Sequence, residues 1–454
     1  LNPLFGILMK VDVLVIGGGM AGSVAASKAA DSGREVAVVR RGYGATALSS
    51  GAIDIALDPL RISNDSWSDS SPVKKGLQEI IRRNPHHPYR TIASDTDEPA
   101  EKVIGILREA LDELPISRQV GNFSLNGSLD SNQILTNNLG TYKFAAFSQG
   151  TIASGDLLKM KQARLLFIGI RGLSCFDPRY LADSLLGFSQ GQGADYVQDT
   201  DFILLNFPGY PRSSNILPAE LAAGLDNPEI AKSFTESVKQ AAGNRDCTHL
   251  VLPPVCGLDR SSEILAGIQN GLGYSCFETL SAPVSVPGLR LQRALDGHLT
   301  GKGIRVLDGE VVTFKKSGGK VDEVRLKGEE IIAAKTLVLA TGKYIGGGVV
   351  KGQGFKESIF DLPLFFNGER IREIFIKELL ERNPVVSHPA FSVGLKTDSL
   401  LRPLQEEGEV IYENLFAAGA VLEGYNYLTE KCGLGVALAT GLVAGKNAGG
   451  LQYQ

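Results

Sequence analysis

Residues 11–22 read Val-Asp-Val-Leu-Val-Ile-Gly-Gly-Gly-Met-Ala-Gly, an apolar strand that runs straight into a Gly17-x-Gly19-x-x-Gly22 turn and then into the alanine-rich, helix-like stretch Ser23–Ala30. Gly17 permits the tight turn, Gly19 lets backbone approach a pyrophosphate, and Gly22 lets the helix pack closely on the strand. The helix start adds free N–H groups and a partial positive charge. The pattern predicts a dinucleotide-binding strand, turn and helix, with Gly17, Gly18, Gly19, Met20, Ala21 and Gly22 around a phosphate-bearing cofactor.

Glu35–Val39 reads as a second buried parallel strand, closing a β-α-β unit of about 30 residues. Such a strand commonly ends in an acid that holds the adenosine ribose hydroxyls, but this one ends in Arg40-Arg41. A guanidinium there suits a phosphate, which leaves FMN, a 2′-phosphate, or FAD with an unusual ribose contact as open choices. Two solvated arginines at a strand end are the competing reading. The small, glycine-punctuated loop Gly42–Asp54 can follow a flavin's phosphates and ring at close backbone distance, with Ser49, Ser50 and Gly51 as its candidate contacts.

At 454 residues the chain is too long for one core, and a two-domain enzyme fits. A formal net charge of −4, with no basic tail, gives no footprint for nucleic acid. No stretch reaches the roughly 18 apolar residues of a membrane span, and Leu1–Lys10 lacks the features of a secretion signal, so the expected compartment is the cytoplasm. Cys175, Cys247, Cys256, Cys276 and Cys432 are scattered without a C-x-x-C pair, which argues against a disulfide framework or an iron–sulfur cluster within this chain. The first four read as buried thiols. No metal-ligating cluster stands out.

Farther along, the polar run 64–72 marks a domain crossing, and 85–280 reads as a large mixed insertion. Helical periodicity covers Glu98–Leu114 and Pro218–Ala241; strand-like runs cover Leu165–Ile170, Phe202–Phe207 and His249–Pro253. Gly303–Leu307, Glu310–Phe314, Val321–Leu326 and Glu330–Ala333 predict an antiparallel meander. Thr336–Gly342 then reads as a buried strand ending in Thr341-Gly342, and Asn414–Gly419 as a third, followed by Ala420. Cys432-Gly433-Leu434-Gly435-Val436 opens a closing helix whose N–H groups suit the electron-rich edge of a flavin. Close packing is the favoured role for Cys432.

These pieces together resemble the two-dinucleotide-fold flavoprotein superfamily. More narrowly, Ser49-Ser50-Gly51-Ala52-Ile53-Asp54, Val286-Pro287-Gly288-Leu289-Arg290, Ala418–Gly424 and Glu430–Ala437 are similar to the B subunits of anaerobic glycerol-3-phosphate dehydrogenases. The resemblance covers both ends and the third quarter of the chain and is thin at 85–280. It implies an α/β, Rossmann-like FAD/NAD(P)-binding fold, a parallel sheet plus antiparallel meander, with an inserted α+β capping or substrate domain. The flavin domain is expected at 9–57, 281–345 and 409–454, and the cap at 58–280 and 346–408. The resemblance further implies oxidation of sn-glycerol 3-phosphate to dihydroxyacetone phosphate, with electrons passed towards quinone. It favours FMN over FAD. The implied partners are a larger catalytic flavoprotein and an iron–sulfur subunit that docks to the membrane, making the chain peripheral there. A flavin-holding electron-transfer or assembly subunit without substrate turnover, and a related dehydrogenase for another small hydroxy acid or polyol phosphate, are the alternatives.

Oxidising a secondary alcohol requires a base for the hydroxyl proton and cations for a phosphate. Of five histidines, His388, just before the return to the flavin fold, is the best-placed base. Arg290, Lys343, Lys351 and Arg402, in glycine- or proline-marked loops, are the candidate phosphate contacts.

Overall fold

The computed structural model describes residues 8–57, 72–114, 123–191, 196–210, 215–243, 245–351, 354–372, 376–383 and 386–451. The polar run expected to mark a domain crossing lies, but for Pro72, outside them. The chain forms two compact units: Leu1–Ala45, Lys74–Pro115 and Leu295–Gln454 make the first, Thr46–Val73 and Ile116–Ala294 the second. Residues 74–115 and 346–408, expected in the cap, thus fall in the first unit, and 46–57 and 281–294 fall in the second.

In the first unit, β1 (Leu8–Ile16), α1 (Met20–Asp31) and β2 (Val36–Arg40) form the expected β-α-β unit. Helix α2 (Pro99–Glu113) follows, then β3 (Arg305–Asp308), β4 (Val311–Ser317), β5 (Lys320–Leu326), β6 (Ile331–Leu339), β7 (Leu415–Ala417) and α3 (Gly433–Gly450). The sheet order is β3-β2-β1-β6-β5-β4, with β7 also on β6. Strand β6 serves two partners along one edge: Ile331–Ala333 pair antiparallel with β5, and Leu337–Leu339 pair parallel with β7. Its opposite edge runs parallel to β1 throughout, Leu8 opposite Ile331 to Ile16 opposite Leu339. The meander is therefore three strands, not four, because Arg305–Asp308 pairs parallel to β2 instead.

The buried valines and leucines of β1, β2 and β6 explain the strands; the second halves of β1 and β6 are apolar on both faces because helices must cover them. Helices α1 and α3 lie against each other through small residues. A Cβ on Gly441 would stand 2.5 Å from the Ala21 carbonyl oxygen, and one on Gly445 2.5 Å from that of Ala25. Helix α2 is tied to them by Lys446–Glu109 at 2.5 Å and by the Ser27 hydroxyl donating to Glu113 at 2.6 Å.

The second unit has its own core, built on four parallel strands in the order 275–278, 249–252, 163–170, 197–205. Leu166, Phe167, Leu250, Val251 and Phe277 sit at its centre, with Phe234 and Ile268 from the covering helices. Helix Val286–Gly301, which the sequence does not announce, begins at the Val286-Pro287-Gly288 segment. Proline in a first helical turn is well tolerated because its missing N–H is one that has no helical partner.

Candidate functional site

The glycine turn has the geometry its spacing predicts. Gly17 sits at φ +115, and a Cβ there would stand 2.2 Å from the Ala340 carbonyl oxygen, at the end of β6. A Cβ on Gly22 would stand 1.8 Å from the Gly17 carbonyl oxygen, so no larger residue fits. Gly19 caps α1, whose first turn carries no acid, and Met20 and Ala21 are buried. The positive end of that helix is therefore left for an anion.

Arg40 is not a loose cation at a strand end. Its guanidinium donates to Asp296 at 2.6 Å and to Asp308 at 3.4 Å, and it lies 5.2 Å from the Tyr43 ring centroid. Its stem crosses the turn, since a Cβ on Gly18 would meet Arg40 Cδ at 2.8 Å. Asp308 ends β3 directly opposite Arg40 in the register, with its side chain 83% exposed. An acid absent from the end of β2 thus stands at the end of the neighbouring strand. Arg41 is exposed and pairs with Glu310 at 2.8 Å.

Beyond β6 the chain curls tightly. Gly342 adopts φ +73, and Cβ atoms on Gly346 and Gly348 would stand 2.0 Å from the Thr341 and Gly342 carbonyl oxygens. This second cradle, Gly346-Gly347-Gly348, does not stand out in the sequence, because loop glycines mark a close approach only once the opposing backbone is known. After β7, Gly419 at φ +75 donates its N–H to the Thr440 hydroxyl at 2.9 Å and packs on Ala21, with Ala420 half-buried beside it. Helix α3 also lacks an acid in its first turn; Gly433 and Leu434 are half-buried there, while Gly435 and Val436 are buried. Two buried hydroxyls at these elements, Ser23 Oγ in α1 and Thr341 Oγ1, have no hydrogen-bond partner among the described residues. Orphaned donors beside two acid-free helix starts and a glycine cradle fit a polar, phosphate-bearing cofactor.

Ser49, Ser50 and Gly51 belong to the second unit. The Ser49 hydroxyl donates to the Thr46 carbonyl and accepts from Gly51 N–H, and Ser50 Oγ accepts from Lys143 Nζ at 3.0 Å. Gly51, at φ +74, faces Gln149 and Pro287 so closely that a Cβ would stand 2.5 Å from Gln149 Nε2.

The first unit also holds a buried ionisable cluster, of which sequence reasoning names Lys343 as a phosphate contact, Glu423 as a hydrogen-bonding partner for flavin or substrate and Cys432 as a residue packed beside the flavin, but not Glu430 or His87. Lys343, 6% exposed, donates from Nζ to the Phe391 carbonyl oxygen at 2.5 Å and lies 5.5 Å from the Tyr425 ring centroid. Burial pushes its ammonium down to about 7, with Glu423 and Glu430 opposing the shift. Burial in turn raises both carboxyls to about 7. Glu423 accepts from Gly368 N–H at 3.1 Å and Glu430 from Asn426 N–H at 2.7 Å.

His87, fully buried, brings its Nε2 within 3.7 Å of Glu430 Oε2 and 3.8 Å of Cys432 Sγ, and those two atoms are 4.0 Å apart. The triangle has the size of a metal's ligand set, yet its hydrogen bonding excludes one. Tyr89 N–H donates to His87 Nδ1 at 3.0 Å, so in the neutral ring Nε2 carries the hydrogen and has no lone pair for an ion. Burial holds the ring neutral by lowering its pKa to about 3. Cys432 is fully buried at the start of α3, in keeping with close packing; Cys175, in contrast, is exposed.

Two of the expected substrate contacts are engaged in ion pairs, a third is exposed, and the expected base has its Nδ1 already occupied. Arg290 is 2% exposed and bound to Glu278 at 2.6 and 3.0 Å and to the Gly257 carbonyl at 2.7 Å, a closed ion pair inside the second unit. Arg402 is gripped by Asp398, four residues back, at 2.7 Å. Lys351 is exposed on a small hairpin, Val349–Lys351 with Phe355–Glu357. His388 accepts Glu381 N–H at Nδ1, 2.9 Å, which places its hydrogen on Nε2 and withdraws it from the role of proton acceptor. Sequence gives the imidazole; only the fold tells which nitrogen is spent.

The chain is similar to known proteins along most of its length. The family of FAD binding domains matches residues 12–436. Among curated proteins, the chain is 29% identical over 452 residues to the probable anaerobic glycerol-3-phosphate dehydrogenase B subunit of Halobacterium salinarum, covering 97% of this chain and 98% of that one. It is 27% identical over 454 residues to the B subunit of the Actinobacillus pleuropneumoniae anaerobic glycerol-3-phosphate dehydrogenase, covering 97% and 100%. With the B subunit from Yersinia pestis it shares 29% over 446 residues, covering 95% and 96%. The match of more than nine-tenths of the chain, running from the strand before the glycine turn into the first residues of α3, means that this protein belongs to the FAD binding domain family and is a flavoprotein.

Proposed function

We propose that this chain is the B subunit of an anaerobic glycerol-3-phosphate dehydrogenase, a flavin-dependent oxidoreductase that oxidises sn-glycerol 3-phosphate to dihydroxyacetone phosphate and delivers the electrons towards quinone. The observation that carries this reading is end-to-end similarity to proteins of that name, over 95–97% of this chain and 96–100% of theirs. The family match supports FAD as the flavin and lends nothing to FMN. The ribose of its adenosine half would be received near Asp308 and Arg40, the phosphates by Gly17–Gly22 and the start of α1, and the pyrimidine edge by the start of α3, with Thr341-Gly342 and Gly419-Ala420 as further contacts. Bound flavin supplies the hydride acceptor. The protein's own task is to exclude water and handle the alcohol proton.

Assembly with a larger flavoprotein subunit and an iron–sulfur subunit, and peripheral attachment to the cytoplasmic face of the membrane through them, belong to the same proposal. No described helix is long and apolar enough to cross a membrane. Anaerobic titration of the flavin-loaded protein with sn-glycerol 3-phosphate tests the reading: bleaching of the flavin absorbance at roughly 1 s⁻¹ or faster is expected. Flavin that stays oxidised until a partner subunit is added makes this chain an electron-transfer or assembly subunit instead. Denaturation is expected to release FAD, and release of FMN overturns that assignment.

A further inference from the structure

His86 packs its ring against Gly368, beside Glu423, while His87 and His388 both accept a backbone N–H at Nδ1 and so present a hydrogen at Nε2. Neither has a lone pair to offer. Lys343 differs. It follows the Gly342 turn at the end of β6, among the loops at the carboxyl ends of the parallel strands, where open α/β sheets place their ligands. Its Nζ is held by one hydrogen bond to Phe391, and the next residue is held too, Tyr344 Oη donating to the Ala390 carbonyl at 2.6 Å. One N–H is therefore fixed and the amine's position is set.

The charges around Lys343 decide what it can do. Glu423 and Glu430 both act on it from the loop between β7 and α3. A phosphate dianion brought there would face two carboxylates, which makes Lys343 a poor phosphate clamp. A neutral amine held by a carbonyl and flanked by carboxylates is suited to taking up a proton, since the ammonium that forms is stabilised at once.

We propose that Lys343 is the acceptor of the hydroxyl proton in the oxidation of the alcohol, its amine positioned by Phe391 and the charge it gains offset by Glu423 and Glu430. This rests on the alcohol-oxidising reading above. In the step, the substrate O–H bond breaks and its proton passes to the lone pair of Lys343 Nζ, giving an ammonium. A flavin held by this fold would be the oxidant, taking the C–H hydrogen with its bonding pair as the carbinol carbon becomes a carbonyl. Burial already lowers the Lys343 ammonium to about 7, which leaves a large neutral fraction at neutral pH. Other titratable groups surround the cluster: Tyr425 lies beneath Lys343, and His86 packs on Gly368 beside Glu423. Lys396 acts on Glu423, His87 and Cys432 touch Glu430, and Tyr427 acts on Tyr344.

The test uses flavin-loaded protein and combines two readouts. Reductive ¹³C-methylation followed by NMR titration is expected to show one lysine with a midpoint near neutrality, missing in K343M, while surface lysines titrate around pH 10. E423Q is expected to move that midpoint down, because a carboxylate that favours the ammonium is gone. In anaerobic mixing with sn-glycerol 3-phosphate, K343M and K343R, with flavin content and circular dichroism of wild type, are expected to reduce flavin about 100-fold more slowly. A midpoint above pH 9, or a K343M rate within threefold of wild type, overturns the proposal while leaving the function standing. A wild type that sn-glycerol 3-phosphate does not reduce overturns the function and this role together.

Discussion

Glu423 keeps its carboxyl group at 4% exposure with the Gly368 N–H as a backbone donor, and burial raises its pKa from 4.5 to about 7. Between those values the folded protein binds more protons than the unfolded chain, so the group's contribution to stability is full below pH 4.5 and is lost as pH rises through 7. E423Q keeps the acceptor for Gly368 N–H and removes the charge. Thermal melts are expected to show E423Q more stable than wild type at pH 8 and nearly equal to it at pH 5; a uniform loss at both would mean that the carboxylate is stabilising. Lys343 has the opposite sign, its depressed pKa making stability rise with pH between about 7 and 10.5. Which residues bear such shifts was not legible in the sequence. Lys343 was visible as a loop cation, but its enclosure by Tyr425, Phe391 and two glutamates is assembled from three chain regions. Arg40 is the converse case. The missing acid was plain from residue 40 alone, whereas Asp308, 268 residues later, came into view only with the strand register.

At the level of elements, the glycine turn owes its position to the packing of α1 on α3. Gly441 and Gly445 stand one helical turn apart and meet the backbone at Ala21 and Ala25, and Gly449 meets Ala29 Cα at 3.2 Å if given a Cβ. The α3 side of this seam carries no side chain at these three positions, so its backbone approaches α1 closely and α1 is held where its N-terminus meets the turn. Gly445→Leu is expected to cost at least about 2 kcal/mol in denaturant unfolding and to weaken flavin retention, because the only relief is to push α1 away. A variant as stable as wild type would refute the seam. The sequence showed these two helices and the strands before them, since apolar runs of β1 and β6 and the alanine–glycine spacing are local signals. It hid the helix Val286–Gly301, where Pro287-Gly288 imitates a turn, and the direction of Arg305–Asp308, because pairing partners are not written in a strand's own residues. It also merged Pro218–Leu225 and Pro228–Ala242, which Asn227 separates by capping the second with its side chain.

The whole chain divides unevenly along its length. The second unit draws its four strands from 163–278, nearly continuous in sequence, while the first is gathered from three separate stretches. Helix α2 reads as part of the cap because it lies far from the glycine turn in sequence, but its ion pairs tie it to α3. Strand β1, which leads into the cofactor turn, finds one neighbour at once in β2 and the other only in β6, more than 300 residues later. A chain growing on the ribosome therefore completes the second unit's core first, while its opening residues wait. Arrested nascent chains from which residue 294 has emerged are expected to resist protease over 163–278 and to be cut within 8–40, with protection of the latter arriving only after residue 339 has emerged; early protection of 8–40 would contradict this. The glycine turn is thus translated before the second unit yet becomes binding-competent after it, once β6 is in place beside β1.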